Sequence, residues 1–101
     1  MTRQVLSDGS GRWFDLNQVE KFDEETRWNG SNHISCATGS QWEHQTLYRT
    51  KSRLWIIHAW SQWQGTLDSW TEISDDEAAI WLVENEHEHP DVEEQIAELE
   101  I

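Results

Sequence analysis

Apolar residues run almost continuously through the middle of this chain and change to helical spacing after Ser74. From Gln41 to Thr50 there is neither Gly nor Pro, and Trp42, Thr46, Leu47, Tyr48 and Thr50 give the stretch strand character. From Leu54 to Trp63, alternation places Leu54, Ile56 and Trp60 on one side and Trp55, Ile57, Ala59 and Trp63 on the other. A strand apolar on both faces belongs in the middle of its sheet. Lys51, Ser52 and Arg53 leave only a short link between these runs, which predicts an antiparallel hairpin. Gly65 then turns the chain into a third strand near Ser69 to Ile73. At Ser74 the pattern changes. Ser74 and Glu77 have capping-box spacing, Ile73 and Ala78 occupy the staple positions, and Asp75, Asp76 and Glu77 put negative charge in the first turn. A helix from about Asp75 to Glu86 follows, with Ala78, Trp81 and Leu82 facing the sheet. Pro90 starts a last helix, with Val92, Ile96 and Leu99 as its apolar stripe.

The first forty residues are less regular. Ser7 to Gly11 is rich in Ser, Gly and Asp and reads as a flexible lead-in, with order starting near Arg12. Trp13, Phe14 and Leu16 suit a short strand. Leu16, Val19 and Phe22 recur at near-helical spacing behind Asn17, so a brief helical turn through Lys21 is expected. Asn29 to Asn32 and Ala37 to Ser40 are turn clusters, with Ile34 anchoring a short bridge between them. The pattern gives an α+β domain in which an antiparallel sheet of about three to five strands is packed by one or two helices, ending in an acidic C-terminal helix. Its divisions are a lead-in at 1–11, one domain at 12–89 and the acidic end at 90–101.

Composition sharpens this picture. A mean hydropathy of -0.84 and a formal charge of -13 point towards disorder, but eight Trp residues supply the large apolar surface that disordered chains lack. With 101 residues the chain suits a single core. Cys36 is the lone cysteine, so no internal disulfide forms and thiolate zinc or iron-sulfur sites lose their usual basis. No signal-like apolar run opens the chain and none is long enough to span a bilayer, so a soluble, cytoplasmic protein is expected. The charge is also unevenly placed. Residues 1–53 hold seven acidic and seven basic side chains, whereas residues 54–101 hold thirteen acidic and no Lys or Arg. Such a one-sided field suits a surface that meets something positive, and it repels nucleic acid and anionic lipid.

Catalytic signatures are absent from the sequence, so an enzyme is not the favoured reading. His87 and His89 flank Glu88, and His44 and His58 fall on neighbouring predicted strands, but no third ligand at a fixed spacing completes a metal site. Cys36 with His33, His44 or His58 has no positioning signal and reads as a small buried or half-buried thiol. No cofactor is implied. Trp55, Trp60, Trp63 and Trp70, with Trp42 and Tyr48, form a stacking set without the cationic groove that nucleic acid requires. Most of them read as core, with one or two, Trp63 and Trp70 in particular, left to anchor a protein partner. If residues 91–101 are helical, Asp91, Glu93, Glu94, Glu98 and Glu100 give about one carboxylate per ~3 Å, near the ~3.4 Å spacing of phosphates along a DNA strand.

The stretch from Thr38 to Thr50, the Trp60-Ser-Gln-Trp-Gln-Gly65 motif and the segment Ile73 to Leu82 resemble a family of small acidic bacterial proteins of uncharacterised role. The resemblance covers most of the chain from Arg12 onward. It implies a bacterial or mobile-element origin and carries no activity or site residue. In size and charge alone the chain is similar to small inhibitors that imitate nucleic acid, such as some anti-CRISPR and anti-restriction proteins. The favoured function is therefore a non-enzymatic acidic protein that engages a basic surface of a nucleic-acid-handling protein and inhibits it. Asp75, Asp76, Glu77, Glu93, Glu94 and Glu98 would supply charge, and Trp63 and Trp70 would serve as anchors. Two alternatives stand beside it. One is a small-ligand or enzyme site around His44, Tyr48, Arg49, His58 and Trp60. The other is an interaction module that forms a homodimer through Val92, Ile96 and Leu99.

Overall fold

A computed structural model describes residues 1–63, 65 and 67–101; Gln64, part of the Trp60 to Gly65 motif, and Thr66 lie outside them. The two apolar runs form the predicted hairpin, β6 (Glu43–Thr50) and β7 (Trp55–Ser61), in antiparallel register from Glu43 opposite Ser61 to Arg49 opposite Trp55. Arg53 closes the link with φ of 67°, while Thr50 and Leu54 are tied by a backbone bond of 2.9 Å. On one flank β3 (Val19–Asp23) pairs with β6, and on the other β8 (Ser69–Ile73) pairs with β7. The order β3-β6-β7-β8 puts the doubly apolar β7 inside the sheet, as its alternation requires.

The expected helical turn through Lys21 is replaced by strand. Asp15 accepts a turn bond from Gln18, and the chain then pairs with β6 from Val19 onward. The spacing of three that mimics a helix stripe serves two faces instead. Leu16 and Val19 join one apolar cluster and Phe22 joins the other. The amino terminus also departs from the reading that order starts at Arg12. Arg3–Val5 forms β1 against β2 (Trp13–Asp15), Leu6 is buried, and Ser7 exchanges hydrogen bonds with Trp70 on the edge of β8. Within the Ser7 to Gly11 link, the Ser10 hydroxyl and backbone amide and the Arg12 guanidinium bring the Asp8 carboxyl down to about 2.

The sheet therefore has a layer on each face. Leu47, Trp55 and Ile57 point to one side and are covered by α1 (Asp75–Glu84), whose Ala78, Ala79, Trp81 and Leu82 are buried. Tyr48 and Ile56 point to the other side, where Leu6 and Phe14 of the β1-β2 hairpin cover them, and this burial pushes the Tyr48 phenol up. A second two-stranded piece, β4 (Thr26–Trp28) with β5 (His33–Ser35), turns through Asn29 to Asn32. Among the described residues three antiparallel sheets and two short helices make this an α+β fold with more sheets than the one expected.

Ser74 caps α1 as predicted, with its side chain accepting from the Glu77 amide and Glu77 reaching back to the Ser74 backbone. The helix stops at Glu84, two residues short of the expected Glu86. The final segment opens as a 3-10 turn at Pro90–Val92 and becomes α2 at Glu93–Glu98, shorter than the helix expected for 91–101. Val92 is fully buried in the α1 side of the core and Ile96 packs against it, so both dock within the chain and only Leu99 of the stripe stays well exposed. Among the described residues no helix is long and apolar enough to cross a membrane.

Candidate functional site

α1, the 3-10 turn and α2 lie together on one side of the sheet. From Asp75 to Glu100 this layer contains eleven carboxylates and no Lys or Arg. Its cations are borrowed from the β6-β7 hairpin. Buried Arg49 lies on the helix-facing side of β6 and donates from Nε and Nη2 to Asp91 Oδ2 at 3.2 and 3.0 Å. Arg53 Nη1 reaches the same oxygen at 2.8 Å. The Arg49 guanidinium also sits over the Trp55 ring at 4.4 Å, and Trp55 Nε1 donates to Asp75 Oδ1 at 3.0 Å. Burial works against ionisation of Asp91, but the hydrogen bond from Arg49 and the charges of Arg53, His89 and Arg49 outweigh it and hold the carboxyl below its ordinary range.

Asp75 and Asp91 are thus engaged within the fold. The other nine carboxylates of the layer form no ion pair among the described residues. Of the residues predicted to supply charge, Asp76, Glu77, Glu93, Glu94 and Glu98 are exposed, although Glu77 also completes the cap of α1. Asp75 is exposed at its edge yet hydrogen-bonded to Trp55. Asp91 turns inward and so drops out of the carboxylate row expected along the last helix. Three of the remaining cations are engaged outside the layer: Arg12 meets Asp8 and Glu72, Lys21 is near Asp23, and Arg3 stacks on Trp13. The carboxylates from Asp75 onward are thus gathered on one side of the sheet, while Asp68 and Glu72 of the acidic half lie outside that layer.

The two predicted aromatic anchors differ. Trp63 is 60% exposed and lies 5.3 Å from the Trp42 ring, which is also exposed. Trp70 is half-buried, stacked at 3.8 Å on His58 and packed against Phe14 and Tyr48.

The alternative pocket is divided by the sheet. His44, Tyr48, His58 and Trp60 share the face opposite the helices, because His44 faces Trp60 and Tyr48 faces Ile56 across the β6-β7 ladder. Arg49, the fifth residue of that set, points through to the helix side. Each His on the shared face already has partners. His58 Nε2 is 2.8 Å from Asp68 Oδ2 and His44 Nδ1 is 2.6 Å from Glu24 Oε2, with the His44 ring stacked on Trp60. Glu24 also accepts from Ser35 Oγ and the Gln45 amide, tying β5 to β6. His44 Nε2 is the buried polar side-chain atom left without a partner among the described residues.

His87 and His89 are structural. His87 Nε2 donates to the Asp23 carbonyl at 2.7 Å. His89 Nδ1 accepts from the Asp91 amide while Nε2 donates to Glu20. Among the described residues no three or more His, Cys, Asp or Glu are grouped as metal ligands. Cys36 is half-buried. No family model, curated protein or solved structure matches this chain. A functional reading therefore rests on the geometry of its own surface, and the helix layer is the part of that surface with a chemical bias.

Proposed function

We propose that the chain is a non-enzymatic binding protein that presents its α1-α2 layer to a basic surface of another protein. The observation that carries this reading is the layer of eleven carboxylates without a Lys or Arg, nine of which have no ion-pair partner among the described residues. Crowding like charge on one face costs stability through self-repulsion, and the same charge would be harmless if distributed. A cationic partner relieves that repulsion, and steering by the field favours fast, salt-sensitive association. The natural owner of such a surface is a nucleic-acid-handling protein, whose phosphate-binding groove the carboxylates of Glu93, Glu94 and Glu98 would occupy, so that binding inhibits it. Exposed Trp63 and Trp42 lie outside the helix layer as apolar anchors for the same or another contact.

The test is an affinity capture from bacterial lysate at low salt, eluted with a salt gradient, using the native chain and the variant carrying Glu93→Lys, Glu94→Lys and Glu98→Lys. A basic nucleic-acid-binding protein that elutes with salt and is absent from the variant supports the reading. Equal recovery on both baits, or no basic protein on either, rejects it.

A further inference from the structure

Two shallow clefts run into each other along the seam between α1 and α2. One, of about 590 Å3, is lined by Val83, Glu86, His87, Glu88 and Ile96; the other, of about 210 Å3, by Glu88, His89, Pro90, Glu93 and Ile96. Ile96 forms the common floor and Glu88 the common rim. The apolar surface extends along both helices. Val83 is 44% exposed, Ile80 one turn before it 45%, and Leu99 one turn after Ile96 44%. Around this strip stand Glu86, Glu88 and Glu93, none of them in an ion pair among the described residues.

The end of α1 that forms this rim is built against its own stability. Glu84 and Glu86 lie at the negative end of the helix dipole, and the last turn contains no basic residue. Glu86 itself takes φ of 61° where the helix closes, with its amide donating to the Val83 carbonyl at 3.3 Å and the His87 amide to the Leu82 carbonyl at 2.8 Å. That arrangement ordinarily takes Gly, because a side chain is strained there. Local stability does not account for a carboxylate at this position.

We infer that the seam is a docking groove for a basic amphipathic segment of a partner protein, one that carries Lys or Arg beside Leu, Ile or Phe at helical spacing. The inference rests on the acidic-face reading and specifies its partner. Charge complementarity selects the occupant. A second copy of this chain would bring the same carboxylates to the seam, and an anionic lipid surface would be repelled in the same way. A purely apolar segment would desolvate Glu86, Glu88 and Glu93 without compensation, and a purely cationic one would leave Val83 and Ile96 wet. A segment that is both basic and apolar satisfies the floor and the rim together.

The experiment is an NMR titration of the 15N-labelled full chain at low salt with two synthetic peptides of equal charge: an amphipathic helical peptide of Lys and Leu, and oligolysine. The expected result is amide shifts centred on Val83, Glu86, Glu88 and Ile96, with the Lys-Leu peptide bound at least about tenfold more tightly than oligolysine because it buries the apolar floor. Val83→Ser, at an exposed position that leaves the core intact, should remove that advantage while oligolysine binding persists. Equal affinities for the two peptides, or shifts centred on Trp42 and Trp63, overturn the groove. If both bind equally at the carboxylates of α2, the groove fails while the acidic-face reading stands; if neither perturbs the helix layer, both fail.

Discussion

Glu86 and Arg49 act on the helix layer in opposite directions, the first straining the end of α1 and the second tying the layer to the sheet. Glu86 adopts a left-handed backbone that a Gly would take without strain, so Glu86→Gly is expected to raise stability by about 1 kcal/mol in urea unfolding. The same variant should bind a basic amphipathic peptide more weakly, since it removes one rim carboxylate. A fall in stability would contradict the strain argument. Arg49 is buried and donates to Asp91 while stacked on Trp55, so Arg49→Met is expected to lower stability in urea unfolding by removing both contacts, with Asp91 left to Arg53 alone. Unchanged stability would show the pair to be dispensable.

The pH dependence follows in sign from Asp91. Its folded carboxyl is held below the ordinary value, so its contribution is complete above the usual carboxylate range and is lost as pH falls through the lowered value. In acid the contacts between the last segment and Trp55 should therefore weaken, seen as a fluorescence change that Asp91→Asn reduces. None of these pairings is legible in the sequence. Arg49 and Asp91 are far apart in the chain, and only the sheet register determines that Arg49 points towards the helices while Tyr48 points away.

At the scale of elements, the strongest local signals gave the right structure. The hairpin, the central position of β7, the third strand and the Ser74 cap all follow from alternation and capping chemistry, and Ser74→Ala should cost about 1 kcal/mol by thermal or urea unfolding. Where apolar spacing was short and flanked by turns it misled. Leu16, Val19 and Phe22 fit a helix stripe, but pairing with β6 satisfies five residues of backbone and sends their side chains to two different clusters. The β1 strand is not legible in the sequence because Arg3–Val5 is only three residues with little pattern of its own, and its partner Trp13–Asp15 lies beyond a Gly-rich link. The acidic end is part of the body: Val92 is fully buried, and Val92→Ala should lower stability by about 2 kcal/mol. A chain cut after His89 would lose this anchor, so charge-altering variants of α2 separate binding from folding better than truncation does.

For the molecule as a whole, the sheet acts as a partition between a mixed-charge hairpin layer and an acidic helix layer. The sequence showed the charge excess and its confinement to the second half. It did not show that Asp75 and Asp91 would be neutralised from β6 and its link, or that the open carboxylates would border an apolar seam. The candidate site is thus visible in outline from composition and acquires its shape only from α1 against α2. In the proposed function it is the arrangement of the carboxylates, rather than total charge, that creates the binding face. This is tested most directly by comparing two charge-reversal variants of equal net charge for affinity to the captured basic partner across a salt series. One reverses Glu93, Glu94 and Glu98 to Lys on the helix layer; the other reverses Asp23, Glu43 and Asp68 to Lys outside it. Loss of binding and of salt dependence in the first, with near-native affinity in the second, is the predicted result. Equal weakening in both would show that only net charge matters and would contradict the account.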